Sequence, residues 1–214
     1  MSCMSIITNF GCHYKCPYCI VKKNNLRIPE TTLSGLEELK EALAAYNCDT
    51  ISISGGGDPL YEYENHRDWY QELFNIAAQT NSSVEMHTSY MTDETTFPFQ
   101  LCHRVVYHAN LPVELLHIRR RENEIVRVVF VVTKEYTVKD IMDIALFVQN
   151  SKEIDELSFR QLVNDKYEPQ HYLEDYLRLG HKKLWWYIEQ DDYNFYYAEN
   201  KVSTRYRDFK REVI

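Results

Sequence analysis

Residues 124–133 constrain this chain most, because they hold an almost unbroken β-branched and aromatic run, Ile125-Val126-Arg127-Val128-Val129-Phe130-Val131-Val132. A strand that is apolar on both faces needs cover on both, which is the mark of strands inside a parallel sheet. The surrounding sequence repeats one rhythm of short strand and amphipathic helix. Further strands are expected at 4–9, 50–54, 83–89, 104–108 and 157–163. One helix is expected from Ser34, with Glu37 closing a capping box and Leu36, Leu39, Leu43 and Ala44 on its apolar side. Others are expected at 66–80, 138–149 and 170–179, with a short one at 97–102, while 111–122 stays ambiguous.

Strand–helix alternation points to a parallel sheet with right-handed crossovers. Six such units in 214 residues suit an incomplete barrel, since a full eight-unit barrel takes about 250 residues. The expected fold is therefore α/β, a partial (β/α)6 barrel over residues 1–164. A C-terminal helix and β extension over 165–214 packs on it. That extension interleaves aromatics with charges, as in Tyr187-Ile188-Glu189-Gln190 and Tyr196-Tyr197-Ala198-Glu199, a pattern suited to half-exposed antiparallel strands. In a parallel sheet of this kind ligands bind where the strands end.

A net charge of −8 argues against nucleic acid as the main partner, because phosphate binding needs a basic surface. The basic run Arg119-Arg120-Arg121 reads as a solvated surface. No stretch approaches the roughly 20 apolar residues of a membrane span, and the first residues lack a signal peptide's pattern, so a cytoplasmic location is expected. Cys3, Cys48 and Cys102 are scattered, which fits small buried hydrophobes rather than ligands or disulfides.

The other three cysteines are not scattered. Cys12-His13-Tyr14-Lys15-Cys16-Pro17-Tyr18-Cys19 has the spacing C-x3-C-x2-C in the loop after the first strand. Structural zinc takes four closed ligands, whereas thiolates also hold iron–sulfur clusters. A 4Fe–4S cluster on three cysteines leaves one iron open for chemistry. His13 is a rival ligand that would fill that open position, and it fits better beside the site than in it. The second signal is Ser54-Gly55-Gly56-Gly57-Asp58-Pro59 after the second strand. It holds three of the chain's six glycines, where backbone must turn sharply or approach something closely.

Together, in this order, the two motifs resemble those of the radical S-adenosylmethionine (radical SAM) superfamily, over roughly residues 4–163. The resemblance implies a 4Fe–4S cluster on Cys12, Cys16 and Cys19, with S-adenosylmethionine (SAM) chelated at the open iron. Reductive cleavage of SAM would then give a 5′-deoxyadenosyl radical that abstracts hydrogen from an unidentified small-molecule, nucleotide or peptide substrate. By the same resemblance Tyr18 lies near the adenine, and the backbone of Gly55, Gly56, Gly57 and Asp58 receives the SAM amino group. The family's usual Gly-Gly-Glu ending is Gly-Gly-Gly-Asp here. Ser89, His108, Arg160 and Gln161, at later strand ends, are further cofactor contacts by this analogy, and a flavodoxin or ferredoxin is the implied electron donor. No residue is singled out to handle the substrate radical.

Compact relatives by analogy include glycyl-radical-activating enzymes and 7-carboxy-7-deazaguanine synthase. The latter usually has a threonine two residues after the third cysteine, where this chain has Val21. Peptide-modifying members often add cysteine-rich auxiliary segments, and no cysteine follows Cys102 in this sequence. The non-enzymatic alternative is a zinc-binding interaction module with His13 or Cys3 as fourth ligand.

Overall fold

The computed structural model describes residues 2–23, 28–92, 94–121, 125–164, 168–189 and 195–209. Glu124, Asp165 and Gln190, named above, lie outside the described residues. Nine strands form one sheet: β1 Ser2–Ile6, β2 Cys48–Ile53, β3 Ser83–Thr88, β4 Arg104–Ala109, β5 Ile125–Val132, β6 Glu156–Gln161, β7 Trp186–Ile188, β8 Phe195–Ala198 and β9 Lys201–Ser203. Their spatial order is β7-β6-β5-β4-β3-β2-β1-β8-β9, and every neighbouring pair is parallel except β8–β9. The helices are α1 Ile20–Lys23, α2 Leu39–Ala45, α3 Arg67–Thr80, α4 Val138–Asn150 and α5 Glu174–Gly180.

The six expected strands are present and parallel, but the aromatic tail departs from its expected form. It does not make a separate antiparallel layer. β7 lengthens one edge of the sheet beside β6, and β8 lengthens the other beside β1, both parallel. Only β9 turns back. Tyr187, Tyr196 and Tyr197 are buried in the sheet so formed.

The tail also limits how flat the sheet can be. β7 and β8 stand seven strand spacings apart in the sheet order, or about 34 Å if the sheet were flat. Glu189 and Phe195 are six residues apart, a chain length that reaches about 22 Å at most. The sheet must therefore curl, although β7 and β8 do not pair and the barrel stays open.

Period two then sorts residues onto two faces. Ile53, Met86, Val105, Val128 and Phe159 point outward into a single core with Leu39, Leu43, Trp69, Leu73, Ile141 and Ile144 of the helices. The residues between them point into the curl. α3 and α4 begin and end close to their expected positions, and α4 is capped by Thr137 and Asp140.

Helix α2 is capped differently from the expectation. Ser34–Leu36 forms a 3-10 turn, Ser34 makes no capping bond, and Ala44 is exposed while Ala42 is buried. The cap comes from far along the chain: Asn200 Oδ1 accepts from Glu38 N at 3.0 Å, and Asn200 Nδ2 donates to Ser34 O at 2.9 Å. Asn200 reaches there from the β8–β9 turn, whose central residues Glu199 and Asn200 have φ of 48° and 59°, as a tight hairpin turn of this hand requires. Among the described residues, the segments at 97–102 and 111–121 hold only 3-10 turns, Phe99–Leu101 and Pro112–His117.

Candidate functional site

Because β1 to β8 are parallel, their carboxyl ends share one mouth, and the cysteine loop and the glycine triplet meet there. Ser54 N donates to Ile6 O at 2.9 Å, Thr31 N to Thr8 O at 2.9 Å, and Asp58 N to Gly11 O at 2.8 Å. Asn9, with φ of 51°, turns the loop, and its amide donates to Ile28 O. The glycines are needed for contact between the two backbones. A Cβ on Gly57 would lie 2.0 Å from Gly11 O, and one on Gly56, where φ is 76°, would lie 2.7 Å from Asn9 N. The triplet therefore holds the base of the cysteine loop against the sheet.

Cys12 is exposed, Cys16 and Cys19 are half-buried, and all three are free thiols. Cys19 N donates to Cys16 O at 3.2 Å, and Tyr14 N donates to Cys12 Sγ at 3.4 Å. Burial pushes the Cys16 thiol up, and the nearby Cys12 and Cys19 push it further, so the three lie within electrostatic reach of one another. Among the described residues no three His, Cys, Asp or Glu side chains already converge on one metal position. The donor set still fits an iron–sulfur cluster, since three thiols share one accessible loop at the mouth and the other three cysteines are elsewhere. Cys3 points into the curl on β1, where burial first and then Glu85 and Cys48 raise its thiol to about 12. His13 is exposed, its ring 4.7 Å from that of Tyr61 and 5.7 Å from that of Tyr90.

Tyr18, just before Cys19, donates from its hydroxyl to Asn110 Oδ1 at 2.7 Å, which ties the cysteine loop to the end of β4. Tyr14 donates to Ser89 O, which ties the same loop to the end of β3. Asp58 is buried, and its carboxylate accepts from Leu60 N at 3.0 Å, Thr88 Oγ1 at 2.7 Å and Ser89 N at 2.7 Å. Burial pushes the Asp58 carboxyl up against the pull of these bonds. The carboxylate thus staples the loop after β2 to the loop after β3, and Gly55 O accepts a 3.5 Å contact from Thr8 Oγ1. Gln161 lies in the outer layer, donating to Tyr187 OH at 3.2 Å, whereas its neighbour Arg160 points the other way.

Below the mouth, the inner face carries His108 and Arg160, named from the sequence, together with Glu85, His87, Arg104, Arg127 and Glu156, which the sequence reading passed over. Barrel interiors are usually packed with branched apolar side chains. Here Glu85 pairs with Arg104, Arg104 Nε lies 3.2 Å from Glu156, and Arg127 Nη2 lies 2.7 Å from Glu156. One layer higher, His87 Nδ1 and His108 Nε2 are 3.0 Å apart, and Arg160 is near enough to act on both. Burial lowers both histidines, Arg160 lowers them further, and Glu85 opposes the shift at His87. Burial pushes Glu85 up, but His87, Arg104 and Arg127 outweigh it and leave its carboxyl at about 2. A signal was present in the sequence: Glu85/His87 and Arg104/His108 recur at even spacing within expected strands, and Glu156 stands four residues before Arg160, just ahead of a third.

No family model and no curated protein matches the sequence. Among solved structures, the chain resembles SuiB of Streptococcus suis bound to S-adenosylmethionine, at 14% identity with a TM-score of 0.53. It also resembles SuiB bound to its precursor peptide SuiA, at 13% identity with a TM-score of 0.54. Each match covers 83% of this chain, which spans less than half of the SuiB chains, 42% and 44%. The parallel, curled and unclosed sheet, with its cysteine loop after the first strand, is the partial-barrel fold of the radical SAM enzymes.

Proposed function

We propose that this chain is a radical SAM enzyme in which Cys12, Cys16 and Cys19 hold a 4Fe–4S cluster with one open iron. The observation that carries the reading is the cysteine loop clamped by the glycine triplet at the carboxyl ends of the parallel strands. When bound, the cluster would supply the electron that cleaves the SAM sulfonium, and the protein's part is placement and exclusion of water. The Gly55–Asp58 backbone, Tyr18 and Ser89 are the mouth residues assigned to SAM. His108 and Arg160 stand one residue deeper, on the inner face.

SuiB's precursor-peptide complex supports a peptide as one substrate class for this fold, and the open barrel edge suits a ligand of that size. A small reductant protein such as a flavodoxin or ferredoxin is the proposed electron source. A cytoplasmic location accords with an oxygen-labile cluster, and no helix among the described residues is long and apolar enough to cross a membrane.

The test is anaerobic purification and reconstitution. The expected result is a brown protein with about four irons that forms 5′-deoxyadenosine from SAM and a strong reductant. A colourless zinc protein without that activity overturns the reading in favour of an interaction module.

A further inference from the structure

The inner face is not balanced in charge. Among the described residues it carries two carboxylates, Glu85 and Glu156, and both are taken up by Arg104 and Arg127 in the lower layer. The third guanidinium, Arg160, is half-buried one layer higher and makes no ion pair among the described residues. A guanidinium withdrawn from water without a carboxylate is costly, and its flat fork suits a bidentate anion. Two residues earlier on the same face, Ser158 is fully buried and its Oγ has no hydrogen-bond partner. Two neighbouring polar groups are thus left wanting in one place.

The histidine pair shows what else such a ligand would meet. The Glu85 carboxylate lies 3.6 Å from His87 Nε2, too far for a direct hydrogen bond but close enough to favour the proton on that nitrogen. His87 Nδ1 is then the acceptor of the 3.0 Å contact, and His108 Nε2 the donor. A neutral His108 in that tautomer keeps Nδ1 as a lone-pair acceptor, with no partner among the described residues. An arginine and, two strands away on the same inner face, an imidazole that can take up a proton complement an anionic acid group.

We propose that Arg160, with His108 on the same inner face, is the subsite for an acid group of the substrate, a carboxylate or a phosphate, within the barrel. This rests on the radical SAM reading and narrows its substrate to an acid-bearing molecule. The subsite lies deeper than the mouth residues assigned to SAM, and the inner face of β3, β4 and β6 forms it.

The test uses the full chain as isolated, carbon-13 labelled at the histidine rings, titrated with inorganic phosphate and separately with acetate. Glu85, Arg104, Arg127, Glu156 and Arg160 are the charged groups around the pair. The expected result is a saturable shift of the His87 and His108 signals and a rise in their titration midpoints, because an anion at Arg160 offsets the cation that holds them down. Arg160→Gln should weaken phosphate binding by at least about ten-fold, the scale of a charge-assisted contact. If that variant does not fold, Arg160→Met keeps the apolar stem but loses the charge, and unchanged phosphate affinity in it overturns the proposal.

Histidine signals that ignore both anions, or that shift equally in Arg160→Gln, also overturn it. So does SAM alone producing the same shift and competing with phosphate, which would assign Arg160 to the cofactor. Iron content and 5′-deoxyadenosine formation are scored separately. Their absence would sink the enzyme reading while the anion titration still reports on the subsite.

Discussion

The cysteine loop and the charged inner face are built in opposite ways. The loop is contiguous in sequence, accessible at its thiols, and held through backbone contacts to Gly56, Gly57 and Asp58. The inner face is gathered from four strands and held by side chains that neutralise one another. A loop of the first kind can lose its functional side chains and keep its shape. A network of the second kind cannot, because a lost partner leaves a charge stranded away from water. Function and stability should therefore separate cleanly between the two regions.

The sharpest break is the triple variant Cys12→Ala, Cys16→Ala, Cys19→Ala. It should lose all iron and all SAM cleavage while its unfolding free energy moves by no more than about 1 kcal/mol, as for partly exposed positions. Iron analysis and denaturant titration measure the two sides. Retained iron would mean a different ligand set.

Gly57→Ala should lose both properties, since its Cβ would meet backbone at 2.0 Å. A cost of about 3 kcal/mol is expected, at the upper end for overpacking, with iron retention falling in parallel. Wild-type iron content in a destabilised Gly57→Ala protein would show that the clamp does not shape the loop.

Glu156→Gln is the converse. It strips Arg104 and Arg127 of their shared carboxylate and should cost about 2 kcal/mol, less than a fully buried pair because the network is partly exposed. Iron content should not change. A loss of iron in the folded variant would erase the contrast between the regions.

pH gives a graded version of the same comparison. The folded state holds His87 and His108 below the ordinary histidine value of 6.5, so the unfolded chain takes up protons that the folded chain refuses. Stability should be level above pH 6.5 and fall below it, by at most about 1.4 kcal/mol per pH unit for each ring. Glu85 acts lower: its contribution is complete above 4.5 and is lost as pH falls toward about 2. Replacing both histidines with Asn should flatten the upper limb, and an unchanged slope would mean other groups carry it.

The smallest effect is expected at the β8–β9 turn. Glu199 accepts from Thr32 Oγ1 at 3.0 Å and from Thr32 N, so Glu199→Ala should cost about 1 kcal/mol without touching iron or the histidine titration.

Local signals were readable wherever residues close in sequence act together. The run 125–132, the periodicity of α3 and α4, the cysteine spacing and the glycine triplet each carry their meaning within one short segment. The cap of α2 was misread because its partner is Asn200, more than 160 residues beyond Ser34 and Glu38. The tail was misread because aromatic–charge alternation describes any strand with two unlike faces, and it does not say whether the neighbour will be β1, β6 or water. Glu85, Arg104, Arg127 and Glu156 each looked like an ordinary polar position of one strand.

The sequence by itself determined the parallel α/β architecture and set three closely spaced thiols in one loop, because hydrophobic period and cysteine spacing are properties of short segments. Only the tertiary structure decided that the tail completes both edges of the sheet. It alone decided that the glycines serve contact with the cysteine loop, and that, among the described residues, three arginines face two carboxylates across the inner face. Those outcomes depend on strand order and register, which bring together residues from distant segments. A charge balance inside a barrel exists only after the sheet has curled.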